Sequence, residues 1–275
     1  MRIWKFTDKP IPDLAYGLPV QSLDEATLML PEGAYTTFRT YNTDKAFHLR
    51  RHFDRLEESA RLSKIRVRIR RKFLRMAIQW MIKEEGYVES RIRIVLDFSA
   101  CGRVVYIFSE PLTVPKTEDY LNGVRAITIQ HHRNNPKAKL TDFIDYASHK
   151  KAGLPDGVNE ALMVDDGIIL EGLSSNYFAV VNQEIRTAGE GVLHGITREM
   201  VIRGIEKLGL KVSYQPVREN ELGIIDECFI TSTSRGVLPL TMINDFLVGN
   251  GKPGKITQKI KDVYEELLNQ HIRKI

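Results

Sequence analysis

The stretch from Asn159 to Thr187 restricts the fold more than any other. It reads N-E-A-L-M-V-D-D-G-I-I-L-E-G-L-S-S-N-Y-F-A-V-V-N-Q-E-I-R-T. An apolar run, an Asp166-Gly167 turn and a second apolar run make a hairpin, because Asp-Gly accepts the left-handed backbone of a tight two-residue turn. The segment from Asn176 onward supplies another pair of strands. A chain with two successive hairpins at its centre is not all-helical. Helical periodicity on either side of them then gives an α+β fold class.

That periodicity is local and readable. Leu49, Phe53, Leu56 and Ala60 recur at helical spacing over residues 48–62. Phe73, Ala77, Trp80 and Met81 do so over residues 71–85. Residues 35–47 read as two strands around a turn at Asn42-Thr43-Asp44, and residues 91–98 and 104–108 as two more around Cys101-Gly102-Arg103. Further on, strands are expected at 124–130 and 211–217 and helices at 139–150, 197–208 and 257–270, the last with Ile260, Val263, Leu267 and Leu268 as its apolar stripe. The chain has 275 residues, enough for two cores. Leu112 to Glu118 is polar, carries Pro115 and mixes charges, so it is the expected linker. It divides a small N-terminal α/β domain, residues 1–113, from a larger C-terminal domain of mainly antiparallel strands and helices, residues 119–275.

Several classes of function are disfavoured. No apolar run approaches the length of a membrane span, and the first ten residues lack the apolar core of a signal peptide. Cys101 and Cys228 lie far apart, so no disulfide framework is expected and the cytoplasm is the expected location. His48 and His52 are four apart without the acidic companion of a zinc helix, and no metal is expected. The net charge of +5 is concentrated in part between Arg61 and Arg75. A nucleic-acid-binding role competes there with a solvated connection that turns Ile65, Val67 and Ile69 inward. No nucleic-acid motif and no interleaved aromatics accompany the charge, so the connection is preferred.

Four pieces carry chemistry. Lys139 follows an expected strand and lies 32 residues before Glu171. Glu171 ends an apolar strand, where a buried carboxylate needs a cationic partner. Gly195-Ile196-Thr197-Arg198 opens a helix whose N–H groups and Thr197 hydroxyl suit a phosphate. Thr231 to Ser234, T-S-T-S, offers a second group of hydroxyls after a strand. A lysine for a Schiff base, a carboxylate for a ring nitrogen and two anion-holding turns are the parts that pyridoxal phosphate requires.

In register, the motifs G-A-Y-T-T-F-R-T-Y-N, H-L-R-R-H-F-D-R-L-E-E-S-A, the 159–178 run, V-L-H-G-I-T-R and D-E-C-F-I-T-S-T-S-R-G-V-L-P resemble the class IV, fold-type IV pyridoxal-phosphate aminotransferases. That family includes branched-chain aminotransferase, D-amino-acid aminotransferase and aminodeoxychorismate lyase. The resemblance implies that Lys139 holds the cofactor's aldehyde and moves the proton between Cα and C4′. It implies Glu171 at the pyridine nitrogen, Arg55, Ile196, Thr197 and Thr233 at the phosphate, and Leu193 against the ring. Tyr35, Arg39, Arg93, Ser234 and Arg235 become candidates for the substrate. A homodimer is implied as well, with active sites at the domain junction and an amino acid and a 2-oxo acid as small-molecule partners.

Three positions depart from branched-chain enzymes. Phe143 stands near the place of a tyrosine that follows the lysine. Arg235 enters a turn that is usually made of small residues. The Y-T-T-F run after Ala34 looks more like the lyase. The expected function is transamination, with branched-chain L-amino acids and 2-oxoglutarate preferred. Aminodeoxychorismate lyase and D-amino-acid aminotransferase are the alternatives.

Overall fold

A computed structural model describes residues 1–7, 12–16 and 20–275. The chain divides into two compact units. Residues 1–113, 137–148 and 271–275 form the first, and residues 114–136 and 149–270 the second. The segments 137–148 and 271–275, placed by sequence with the C-terminal half, group with the first unit because both pair with its strands. Leu140 bridges Ala34, and Ile275 N–H donates to the Asp44 carbonyl.

The first unit begins with β1 (Ile3–Phe6), β2 (Asp13–Tyr16), α1 (Leu23–Leu28), β3 (Gly33–Tyr41) and β4 (Lys45–Phe47). It continues through α2 (Leu49–Leu62), α3 (Arg71–Glu85), β5 (Ser90–Asp97) and β6 (Val105–Pro111). The expected turn between β3 and β4 has Asn42 and Thr43 at φ 49° and 72°, the left-handed pair that a tight hairpin requires. Residues on alternate positions of β3 and β5 enter two different apolar clusters. Ala34, Phe38, Ile92, Ile94 and Leu96 pack with Phe53 and Leu56 of α2 and Ile78 and Met81 of α3. Tyr35 and Val95 pack on the other side with Leu23 and Ala26 of α1. This period-two division explains why the strand carries apolar side chains on both faces. Ile65, Val67 and Ile69 lean on the first cluster, while Arg66, Arg68 and Arg70 are exposed. Arg61 pairs with Glu58, and Arg71 with Asp54 and Glu57. The basic segment is thus a solvated edge with its own counter-charges.

The second unit holds α4 (Thr117–Asn122) and β7 (Val124–Gln130). After α5 (Asp142–Ala152) come β8 (Val158–Asp165), β9 (Ile168–Gly172), β10 (Asn176–Val181) and β11 (Glu184–Arg186). Then follow α6 (Ile196–Lys207), β12 (Val212–Ser213), β13 (Glu227–Ser232), β14 (Gly236–Ile243), β15 (Phe246–Leu247) and α7 (Lys255–His271). Last, β16 (Ile272–Lys274) pairs with β4 and completes the seven-stranded antiparallel sheet of the first unit.

Strands β13, β14, β7, β8, β9 and β10 are hydrogen-bonded in that order, and β10 pairs with β13 in turn, so the sheet closes into a ring. Leu162, Val164, Ile169, Ala179, Val181, Cys228, Ile230, Leu238 and Leu240 fill it. Both hairpins expected from sequence are present, with Asp166, Gly167, Asn182 and Gln183 at positive φ. The strand expected at 211–217 shortens to Val212–Ser213, the residues there that pair with β11. Part of the expected linker is helical, since Asp119 accepts the Lys116 N–H and caps α4. Gly204 lets α7 lie close, because a Cβ there would sit 3.3 Å from Val263 Cγ1.

Candidate active site

In the first unit, Lys139 is held by its backbone. Its N–H donates to Ser59 Oγ at 3.0 Å, and its carbonyl accepts the Tyr35 N–H at 2.9 Å. Two residues on, Thr141 N–H donates to the Gly33 carbonyl and Gly33 N–H to Thr141 Oγ1. The segment therefore runs along the end of β3 like an added strand. The Lys139 Nζ lies 4.7 Å from the centre of the Tyr35 ring. Ser59 shares α2 with Arg55, one helical turn earlier, and Arg55 follows His52 by three residues, so the three lie along one helix face. His52 is buried and shares a 2.7 Å hydrogen bond with Thr36 Oγ1. Burial first, then the charges of Arg55, Lys139, His48 and Arg51, hold its imidazole well below the usual histidine range. A neutral imidazole thus sits among cations.

Among the substrate candidates of this unit, Tyr35 turns its ring toward the Lys139 amine. Arg93 is 4% exposed and stacks 4.8 Å from the Tyr35 ring. Its donors, however, are engaged internally. They reach the Leu23 carbonyl, Thr27 Oγ1, Thr37 Oγ1 and Asp24, and so bind α1 to the sheet. Arg39 pairs with Glu89 at 2.7 Å and stacks on Tyr41, while its Nε has no hydrogen-bond partner among the described residues. Phe143 lies on α5, its ring 6.0 Å from that of Tyr146.

In the second unit, Glu171 lies near the end of β9 and is 3% exposed. Several donors converge on its carboxylate. Asn176 Nδ2 lies at 2.8 Å, Leu193 N–H at 3.1 Å from both oxygens, and Arg133 Nη1 at 3.4 Å. Asn176 Nδ2 also donates to the Leu193 carbonyl at 2.7 Å, tying Glu171 to the segment that enters α6. Gly195 has to be glycine for the same reason, because a Cβ would lie 2.4 Å from Asn176 Oδ1. Ile196 and Thr197 are buried in the first turn of α6, and no side chain among the described residues caps that helix. Its first turn carries the positive end of the helix dipole. Thr231 Oγ1, on β13 opposite Asn176, is buried with no partner among the described residues. Thr233 and Ser234 follow in the turn to β14.

Arg235, which the sequence offers as an added positive charge for the substrate, is paired with Glu160 at 2.7 Å. Sequence reasoning missed Glu160, Asn176, Arg133, Ser59 and His52. The signal for Ser59 was present, since it follows Arg55 by four residues on an expected helix. Among the described residues no cluster of His, Cys, Asp or Glu fits a metal, and no helix is long and apolar enough to cross a membrane.

The sequence and the fold have known counterparts. Residues 33–243 match the sequence profile of Amino-transferase class IV. A branched-chain-amino-acid aminotransferase of Pseudomonas aeruginosa is 24% identical over 264 residues, covering 88% of this chain and 86% of that protein. A D-alanine aminotransferase of Staphylococcus epidermidis is 25% identical over 264 residues, covering 91% and 93%. The crystal structure of branched-chain aminotransferase from the archaeon Thermoproteus uzoniensis with norvaline superposes with a TM-score of 0.77 at 25% identity, covering 100% of this chain and 99% of that one. The chain belongs to the class IV aminotransferase family. It is an enzyme, a transaminase with the two-part α+β fold of that family.

Proposed function

We propose that the protein is a pyridoxal-phosphate-dependent aminotransferase that moves an amino group from a branched-chain L-amino acid to 2-oxoglutarate. The observation that carries the cofactor reading is the Glu171 site. A buried carboxylate is held by Asn176, Leu193 and Arg133 beside the uncapped start of α6, with the unpartnered Thr231 hydroxyl on the strand opposite Asn176. Buried anionic and polar groups of this kind fit a cationic ring nitrogen and a phosphate.

When bound, the cofactor supplies an electrophilic carbon and a ring that accepts the electron pair released at the substrate's Cα. This chain's residues do the rest. Glu171 would hold a positive charge at the ring nitrogen. The N–H groups of Ile196 and Thr197 and the hydroxyls of Thr197 and Thr233 would hold the phosphate dianion, a role that the family resemblance also gives to the guanidinium of Arg55. Leu193 would cover an apolar ring face. The Nζ of Lys139 accepts the α-proton of the amino acid and later donates it, and the bonds from Ser59 and Tyr35 to its backbone fix where that amine starts from. Tyr35 in the first unit and Ser234 in the second are the residues the family resemblance offers for the substrate. Arg39, Arg93 and Arg235 shape the surroundings through their internal partners. The reading extends to a cytoplasmic homodimer, and a monomer in sedimentation would count against the dimer.

The test is a panel of L- and D-amino acids with 2-oxoglutarate on the purified protein loaded with pyridoxal phosphate. Branched-chain L-amino acids should bleach the absorbance near about 410–420 nm toward about 330 nm, a cofactor-borne change. Lys139→Ala should lose both the borohydride-reducible adduct and about 10²–10⁴-fold or more of the rate. Pyruvate release from aminodeoxychorismate without bleaching by any amino acid would replace this reading with the lyase. Bleaching by D-amino acids alone would replace the donor.

A further inference from the structure

Glu160 lies on β8 and is 1% exposed, a burial that an unpaired carboxylate does not tolerate. Its Oε2 accepts from Ser175 Oγ at 2.8 Å, Ser174 Oγ at 3.0 Å and Arg235 Nη2 at 2.7 Å. Arg235 Nη2 also donates to Ser174 Oγ at 2.9 Å, and its Nε donates to Ser232 Oγ at 3.1 Å. The Arg235 carbonyl is fixed from outside by the Tyr120 hydroxyl at 2.8 Å. Two turns thus meet on one carboxylate. One is Gly172–Ser175, directly after Glu171. The other is Ser232–Arg235, which contains Thr233 and Ser234. The packing leaves no slack, since a Cβ on Gly172 would lie 2.4 Å from Ser175 Oγ and 2.8 Å from Glu160 Cγ.

The arginine folds back three residues onto its own turn, so Thr233 and Ser234 sit in a loop whose two ends are both held by one guanidinium. We propose that Glu160 and Arg235 form an internal strut that positions Thr233 and Ser234 for the ligand relative to Glu171, and that Arg235 does not itself read a substrate carboxylate. Both are positioning residues, and the inference rests on the pyridoxal-phosphate reading. The arrangement accounts for an arginine in a turn where the family resemblance leads one to expect small residues. Its charge is matched inside the protein, and Glu160 is the matching group. Burial pushes the Glu160 carboxyl up, but Arg235 and then Lys151 outweigh it and hold the group below the usual carboxylate range, so the pair is ionised at neutral pH.

The experiment uses the full chain and the variants Glu160→Gln, Arg235→Met and the double variant, with Glu160→Asp and Arg235→Lys in reserve if a single variant does not fold. Affinity for pyridoxal phosphate and for inorganic phosphate is measured by titration, alongside the melting temperature. Each single variant should bind both probes about tenfold to a hundredfold more weakly, the scale expected when a binding group is misplaced by about 1 Å. The double variant should bind no worse than the poorer single, because one interaction is lost in all three. The ratio of KM for 2-oxoglutarate to KM for a branched-chain 2-oxo acid should stay unchanged. If Arg235→Met selectively raises KM for 2-oxoglutarate while Glu160→Gln binds both probes normally, Arg235 reads the substrate and the strut is wrong. Additive losses in the double variant would overturn it too, as would unchanged affinity in both singles. Failure of the wild type to bind pyridoxal phosphate would instead overturn the cofactor reading on which the strut rests.

Discussion

Lys139 and Glu171 are held by opposite means. The lysine sits on a segment added to the end of a strand, and its own N–H and carbonyl are both bonded. Its side chain extends from a fixed backbone, which suits an amine that has to move a proton. The glutamate is held through its carboxylate by a side-chain amide, a backbone N–H and a guanidinium. Its oxygens have fixed positions, which suits a static counter-charge. One residue is anchored at the root and the other at the tip, and the difference follows from the work proposed for each.

That contrast can be broken at three points. The largest effect is expected for Glu171→Gln. The charge is lost while the shape is kept, so kcat should fall by about 10²–10³-fold, as when a preorganised electrostatic group is removed. A steady-state assay checks this, and a change in KM alone would mean that the carboxylate only shapes the site. A smaller effect is expected for Ser59→Ala, which leaves the Lys139 N–H without its acceptor. Stability should drop by about 0.5–1.5 kcal/mol in urea unfolding, the cost of losing a half-buried hydrogen bond. If the lysine is held at its root, kcat should fall along with stability. Unchanged kcat at reduced stability would show that the backbone anchor serves folding alone.

The smallest effect concerns His52, which shares the α2 face with Arg55 and Ser59. Its folded-state pKa is depressed, so below about 6.5 the unfolded chain takes up a proton that the folded one refuses. Stability attributable to His52 is complete above that value and declines as pH falls, by at most about 1.4 kcal/mol per pH unit. Melting curves between about pH 7.5 and about pH 5 should show the decline, and His52→Gln should flatten it. An equal slope in the variant would assign the titration to another group.

Local chemistry is legible in the sequence and distant pairing is not. The turn at Asp166-Gly167 writes its left-handed backbone into its residue types, and the structure adopts it. Helices α2 and α3 follow from apolar spacing. In contrast, Ile272–Lys274 looks like the frayed end of a helix and becomes a strand only because β4 offers an edge. The same holds for the site. Lys139, Glu171 and Thr197 stand out by type and order. Ser59, Asn176 and Glu160 are ordinary residues that matter because of a neighbour 80, 5 or 75 positions away. Arg93 and Arg235 read as bare cations because a sequence shows charges without their partners.

The ring of the second unit has a seam. Strands β9 and β10 meet through a single registered pair, Glu171 opposite Asn176. The last stitch of the barrel and the anchored carboxylate are therefore the same two residues. Parting the seam would draw the Asn176 amide away from Glu171, so a ligand held at that carboxylate should favour the closed seam. Ligand addition should then protect the amides of β9 and β10 against hydrogen exchange more than those of strands elsewhere in the ring, by an amount that rises with the logarithm of ligand concentration.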